Sequence, residues 1–557
     1  MSEHLSSELL LGQPQFQSPA LLALARQDGA KAAWHHALSS GATPAKVLEP
    51  IGGDFAIGLR LAEGKCVLAV DRFATQTLCY RLAPEGLRFA ERADELADGA
   101  EIDPQAIFDY LYFHCIPSPR TIFKDVFRLP AGHCAVYEQG KLTVTPYGVP
   151  VFKPEQGLGF EDAKGQFKTI LKESVARQLD GSKAACFLSG GTDSSTVAGM
   201  IREATGQAAA TYSIGFEAEG YDEMAYARLA AKHFGAEHHE YYVTPNDLVA
   251  SISKVAAHYD QPFGNSSALP AYYCALMARE DGVSKLLAGD GGDELFGGNA
   301  RYAKQRVFGW YQHLPAGIRR GLMEPVLESD LARRTPLLKK GGSYVEQAKV
   351  PMPARLQMYN LLLRLDPQSV LTPDFLGQID QNAPARHQQA VWDEVGNASE
   401  LNRTLAFDWR YTLAESDLPK VRETTALANV AVGFPMLDRA LLDFSLRLPD
   451  SYKLKGLKLR WFFKEALRGF LPDEILTKKK QGFGLPFGVW MTRHADLHAL
   501  AASSLASLAQ RGIVRPDFID ALLSKHLNEH PGYYGEMVWI LMMLEQWLAA
   551  KAPGLRY

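Results

Sequence analysis

Cys186-Phe-Leu-Ser-Gly-Gly-Thr-Asp-Ser-Ser-Thr-Val-Ala-Gly-Met-Ile-Arg202 decides how the rest of the chain is read. An apolar run from Ala184 to Leu188 breaks at Ser189-Gly190-Gly191, and a helical pattern resumes after Asp193. That order predicts a buried strand, a glycine turn and a helix start. Gly190 and Gly191 carry no Cβ, so the backbone there can approach a ligand closely. Ser194, Ser195 and the first free amides of the helix can donate to an anion. Asp193 would repel a bare phosphate, which points to a divalent cation between carboxylate and phosphate. A glycine turn before an ordinary helix is the plain alternative.

The common phosphate loop ends in Gly-Lys-Ser/Thr, and no lysine follows these glycines. Ser189-Gly-Gly-Thr-Asp-Ser194 instead resembles the pyrophosphate-binding loop, or PP-loop, of ATP pyrophosphatases, which cleave ATP between the α and β phosphates. Asparagine synthetases, GMP synthetases, argininosuccinate synthetases and tRNA-modifying enzymes belong to that group.

The bulk of the chain sets outer limits. Its 557 residues suggest two or more domains. A 47% hydrophobic and 22% charged composition is that of a globular, soluble protein. A net charge of −4 gives no electrostatic footprint for nucleic acid. The six cysteines are scattered without a C-x-x-C pair, against both a zinc site and a disulfide framework. The start, Met-Ser-Glu-His-Leu, is not a signal peptide, and the apolar run Met537 to Leu544 is too short to span a membrane. A cytoplasmic protein without membrane or nucleic-acid partners is expected.

Residues 1–50 lean towards helix, and His35 and His36 read as solvated. From Gly52 to about Tyr147, short strands separated by turn residues predict an antiparallel β-rich domain. Pro146 to Gly159 reads as a linker. Strands at 184–188, 210–216, 237–243 and 284–288 then alternate with helices at 193–204, 222–235, 246–259 and 268–281, the signature of a parallel α/β sheet. Ligands bind such sheets beyond the carboxyl ends of the strands. Ser189–Ser194, Ile214-Gly-Phe216 and Ala288–Gly298 should therefore share one edge. His238 and His239 fall on opposite faces of a strand and are not placed to share a metal.

The resemblance extends along the chain. Gly53-Asp-Phe-Ala-Ile-Gly-Leu59, Val70-Asp-Arg-Phe-Ala-Thr-Gln-Thr-Leu-Cys-Tyr80 and Thr121-Ile-Phe-Lys-Asp-Val-Phe-Arg-Leu-Pro-Ala-Gly-His133 resemble the glutaminase domain of asparagine synthetase B. That implies an N-terminal-nucleophile (Ntn-type) fold for residues 1–147 and an asparagine-synthetase-like ATP pyrophosphatase domain, with a helical C-terminal part, for residues 160–557. The family's glutaminase uses an N-terminal cysteine, where this chain has Ser2, and no Asn-Gly-Glu-Ile-Tyr-Asn-like stretch is present. The first domain thus reads as degenerate and retained for packing.

In the second domain, Ala288-Gly-Asp-Gly-Gly-Asp-Glu-Leu-Phe-Gly-Gly-Asn-Ala-Arg-Tyr302 is similar to the family's synthetase motif. The resemblance implies that Asp293 joins Asp193 on Mg²⁺, that Asp290 lies at the adenylation centre, and that Leu188 to Ser194 (Leu188, Ser189, Gly190, Gly191, Thr192, Asp193, Ser194) with Ile214, Ala288 and Gly289 bind ATP. Asp260-Gln-Pro-Phe-Gly-Asn-Ser-Ser-Ala-Leu-Pro270 matches a segment near the acyl substrate. Between Leu471 and Phe487, Lys480 matches a lysine that stabilises charge as the amide forms, whereas Lys478 and Lys479 read as surface lysines. In the stretch from Asp417 to Asp438, Ala431 and Gly433 stand where the family carries an acidic residue and an arginine, so aspartate as acyl substrate is not secured.

The implied activity is ATP- and Mg²⁺-dependent ligation: a carboxylate is adenylated, pyrophosphate leaves, and a nitrogen nucleophile displaces AMP. The carboxylate is a small molecule or a peptide, the nitrogen comes from ammonia or an amine, and a homodimer is compatible with the family. β-Lactam synthetases and lasso-peptide cyclases use this fold for intramolecular amides. A conventional asparagine synthetase, a non-catalytic nucleotide-binding scaffold and a tRNA-modifying enzyme are the competing readings.

Overall fold

A computed structural model describes residues 8–61, 64–218, 220–319, 336–478 and 484–557. The first 146 residues supply eight strands: β1 (Glu8–Gln15), β2 (Gly52–Arg60), β3 (Cys66–Val70), β4 (Cys79–Ala83), β5 (Gly86–Ala90), β6 (Phe127–Arg128), β7 (His133–Glu138) and β8 (Lys141–Pro146). They form two antiparallel sheets, in the orders β1-β2-β3-β7-β8 and β5-β4-β6. Alternation along β2 and β3 divides the first sheet between two cores. Phe55, Ile57, Leu59, Val67 and Ala69 pack with Trp34 of the helix Pro19–Leu38. Ala56, Leu68 and Val70 pack with Tyr80 and Phe89 of the second sheet. Both faces are covered, which is why these strands read as nearly unbroken apolar runs.

The helical leaning of residues 1–50 holds for Pro19–Leu38 but not for residues 8–15. Leu9-Leu10-Leu11 satisfies a helical pattern as well as an extended one. Antiparallel pairing with β2, from Glu8 opposite Leu59 to Gln15 opposite Gly52, makes it a strand. Tertiary context outweighs a weak local preference.

After the segment 147–159, the helix Phe160–Gln178 leads into a parallel sheet of β9 (Ala185–Phe187), β10 (Ala210–Phe216), β11 (Glu237–Val243), β12 (Lys285–Leu287) and β13 (Ala431–Gly433), in the order β11-β10-β9-β12-β13. Helices Thr192–Thr205, Met224–Phe234, Pro245–His258 and Ala268–Glu280 connect the first four strands. The period of two again sets the two cores. Cys186, Leu188 and Leu287 face Phe167 and Val197, whereas Ala185, Tyr212, Ile214 and Leu286 face Ile252, Leu269 and the C-terminal helix Pro531–Lys551. The strand β13 comes from more than 140 residues beyond β12, and nothing in its three residues, Ala431-Val-Gly433, announces it.

That second core does not stop at the linker. The helix Pro104–Phe113 lies in it, and Tyr110 Oη donates to the Ile540 carbonyl at 2.8 Å. Asp260 accepts from Arg128 Nη2 at 2.7 Å and from the Ala93 amide at 2.9 Å, with both charged side chains buried. Gln261 accepts from the Ile122 amide at 3.3 Å. The Asp260 segment, expected near the acyl substrate, thus spends its first two residues fastening the β-rich part to the sheet. Among the described residues, no helix is long and apolar enough to cross a membrane.

Candidate active site

The carboxyl ends of β9, β10 and β12 open into a cavity of about 900 Å³, at the upper end of the usual range for ligand pockets, which is about 300–1,000 Å³. Its lining includes Leu188, Ser189, Gly191, Thr192, Asp193, Ser194, Ile214, Gly289, Asp290 and Asp293. The three loops read from the sequence therefore meet at one edge. Gly190 and Ala288 sit just behind the lining. Gly190 has φ +70°, and a Cβ there would overlap the Ala227 amide, so the turn packs against the next helix. Ala288 is buried, and its amide donates to the Gly433 carbonyl at 2.9 Å.

Hydroxyls organise the first loop. The Ser189 amide donates to Ser194 Oγ at 3.1 Å, the two serine hydroxyls are 3.1 Å apart, and the Gly191 amide donates to Ser189 Oγ at 3.3 Å. Ser194 is thus placed by its own turn and faces the cavity. Ser195, expected beside it as an anion donor, is fully buried and does not line the cavity.

Asp193 and Asp293 converge, as expected, but on a guanidinium. Arg460 Nη1 donates to Asp193 Oδ2 and Asp293 Oδ1, both at 2.7 Å, and to Thr192 Oγ1 at 3.0 Å, while Nη2 donates to Asp193 Oδ1. Burial works against the charge on Arg460, but the two aspartates outweigh it and hold the guanidinium more firmly protonated than usual. Close backbone approach makes the arrangement possible. A Cβ on Gly292 would overlap Asp193 Oδ1, and one on Gly298 would overlap Asp293 Oδ1. Two carboxylate oxygens aimed at one point suit a divalent cation, so these residues fit Mg²⁺ provided that Arg460 moves. Arg460 escapes sequence reading because it lies in Leu457-Lys-Leu-Arg-Trp, where no local motif marks it.

Further acidic side chains gather in the same lining. Asp290 Oδ1 lies 3.7 Å from Lys420 Nζ, which also bonds Asp417 at 2.9 Å. Burial pushes the Asp290 carboxyl up to about 6, although Lys420 pulls the other way. Burial also opposes the charge on Lys420, yet Asp417 and Asp290 overcome it and raise its pKa. Glu294 is buried and held well above the usual carboxylate range, first by burial and then by Asp293 and Asp417. Asp417 and Lys420 reach the cavity from a single helical run, Glu400–Asp408, Trp409–Asp417 and Leu418–Leu427, whose middle stretch is π-wound. Such windings often accompany functional sites.

The segment from Leu457 to Lys478 adds Lys458, Arg460, Lys464, Arg468 and Lys478 to the lining. Lys478 is not the surface lysine expected. Its side chain is only 8% exposed, lies 2.6 Å from Glu223 Oε1, and sits 4.4 Å over the Tyr226 ring. Lys480 and Lys479 lie outside the described residues. Gly433, the position expected to match the family's arginine, packs against side-chain ends: a Cβ there would sit 2.6 Å from Gln178 Oε1 and 2.9 Å from Leu287 Cδ2, and both side chains would have to turn aside.

All six cysteines are buried. Burial pushes the Cys66 and Cys134 thiols up to about 11 and the Cys79 and Cys186 thiols up to about 12, with Cys115 and Cys274 higher still. Such thiols are not nucleophiles near neutral pH.

Known families and proteins match this sequence. The family model described as "Asparagine synthase" matches residues 166–549, and that described as "Glutamine amidotransferase domain" matches residues 38–148. "Asparagine synthetase [glutamine-hydrolyzing] 1" of Bacillus subtilis (strain 168) is 24% identical over 484 residues, covering 86% of this chain and 74% of its own length. "Putative asparagine synthetase [glutamine-hydrolyzing]" of Mycobacterium tuberculosis (strain ATCC 25618 / H37Rv) is 26% identical over 528 residues, covering 90% and 77%. "Amidase chyE" of Penicillium rubens is 22% identical over 426 residues, covering 67% and 60%. With a model spanning most of its length and the loops of that model gathered at one cavity, the chain belongs to the asparagine synthase family.

Proposed function

We propose that the chain is an ATP- and Mg²⁺-dependent amide-forming ligase that does not hydrolyse glutamine. The observation that carries this reading is the meeting of Ser189–Ser194 with Asp290–Asp293 in the lining of one cavity that also carries paired cationic and acidic side chains.

Each residue then has a physical task. Ser189, Ser194 and the free amides at the start of the helix Thr192–Thr205 donate to phosphate oxygens. Leu188, Ile214 and Gly289 take the adenosine end, with the buried Ala288 supporting Gly289 from behind. When bound, Mg²⁺ neutralises phosphate charge, with Asp193 and Asp293 as its carboxylates. The substrate carboxylate attacks the α-phosphorus, the bond to the β-phosphate oxygen breaks, and pyrophosphate leaves. The nitrogen nucleophile then adds to the acyl carbon, AMP departs, and a proton passes from the nitrogen. Asp290, which lines the cavity beside the phosphate loop, is assigned as the acceptor for that proton, and burial raises its carboxyl towards the range that such a base needs. Lys480 offsets charge on the departing phosphate as the amide forms. Most of the protein's share is orientation and charge stabilisation.

The buried cysteines support the absence of glutamine hydrolysis, since none presents a thiolate to a glutamine. Glutamate release from glutamine should remain at background with and without ATP. Ala431 and Gly433, which carry no charge to pair with a substrate, favour an acyl substrate other than aspartate. ATP–pyrophosphate exchange with a panel of carboxylates tests the ligase reading. Exchange that needs one carboxylate class supports it. No exchange, together with no Mg-ATP binding, would leave a scaffold.

A further inference from the structure

Arg460 is the residue whose placement the ligase reading leaves unexplained. Its side chain is 4% exposed, its guanidinium stacks 4.0 Å from the Phe463 ring centre, and its backbone adopts φ +53°, a costly conformation for a residue with a Cβ. Nη1 sits 2.7 Å from one oxygen of each aspartate, on the point where the two carboxylates converge. Its buried Nε–H has no acceptor among the described residues, so the guanidinium keeps donor capacity that its present partners do not use.

Two carboxylates drawn to one point repel each other unless a cation lies between them. A bound Mg²⁺ stands about 2.0–2.1 Å from its oxygens, a position that overlaps Nη1. Guanidinium and metal therefore cannot hold that point together. A guanidinium released from it presents a planar fork of donors, which matches phosphate oxygens two at a time. We propose that Arg460 is the resident cation of the nucleotide-free site, that metal-bound nucleotide displaces it from Asp193 and Asp293, and that it then binds the phosphates. Arg460 thereby keeps the carboxylates assembled between turnovers and closes the metal position to a metal arriving without nucleotide. The proposal rests on the nucleotide-binding reading of the loop.

The test is uptake of Mn²⁺ by the full-length protein without nucleotide, read from the loss of the free-ion paramagnetic resonance signal. Arg460→Gln should bind Mn²⁺ about tenfold tighter than the wild type, and adding Asp293→Asn should abolish the gain. At saturating Mn²⁺, where the metal holds the carboxylates in both proteins, ATP should bind the wild type about tenfold tighter than Arg460→Gln, because only the wild type adds a guanidinium to the phosphates. Equal Mn²⁺ affinity in wild type and variant, or a gain that survives Asp293→Asn, overturns the proposal. If Arg460→Gln fails to fold by circular dichroism, Arg460→Lys serves in its place. One ammonium cannot span the same acceptors, so Mn²⁺ uptake should still exceed the wild type, and equality again overturns the proposal. Should neither protein bind ATP with Mg²⁺, the ligase reading fails, while the Mn²⁺ arm still decides the place of Arg460.

Discussion

Asp193 shows how far a single residue carries the account. Its carboxylate is positioned by Gly292, held by Arg460 and exposed to the cavity. Asp193→Asn keeps the shape and removes the charge, so Mg-ATP affinity should fall at least about tenfold in calorimetry. Unchanged affinity would detach the loop from the metal. Asp290 gives a pH signature. A base must be ionised, and burial holds this carboxyl near 6, so kcat/KM should rise about tenfold per pH unit below pH 6 and level off above it. Asp290→Asn should remove that limb along with most of the rate. Lys478→Ala should cost on the order of 3 kcal/mol in denaturant unfolding, because it strands Glu223 in a half-closed pocket. A change below about 0.5 kcal/mol would mean that the lysine behaves as a surface residue. At this scale the sequence yielded the loop residues with local motifs, Ser189 to Asp193 and Asp290 to Asp293. It hid Arg460 and Lys420, whose meaning comes only from what the fold brings beside them.

Elements with strong periodicity were legible, and elements made by pairing were not. The four strands and four helices between 184 and 288 fall within two residues of their sequence reading, since each carries its own apolar run bounded by turn residues. β1 and β13 lacked such signals. β1 is extended because β2 offers it a ladder, and β13 because β12 does. The placement of β13 bears on substrate choice. Gly433 sits against the side-chain ends of Gln178, Leu287 and Lys285, which must shift to admit an arginine. Gly433→Arg should lose about 1–3 kcal/mol of stability without creating aspartate-dependent exchange. A stable variant that gains such exchange would reverse the view of this strand.

Across the whole molecule, the β-rich part and the sheet share a core instead of meeting at a surface, a fact that the linker composition does not reveal. Arg128–Asp260 and the helix Pro104–Phe113 beneath the C-terminal helix join them. Asp260→Ala leaves Arg128 buried without its partner and should cost about 3–5 kcal/mol, with both parts losing structure in one transition. Two separate transitions in the wild type would contradict a shared core. The central claim concerns chemistry at the junction of β9, β10 and β12, and the fate of ATP tests it most directly. With ATP, Mg²⁺ and a low-mass cell extract as the source of carboxylates and amines, the wild type should release pyrophosphate and AMP in equal amounts, and Asp193→Asn should not. Release of ADP and orthophosphate, or equal release by both proteins, would contradict the account.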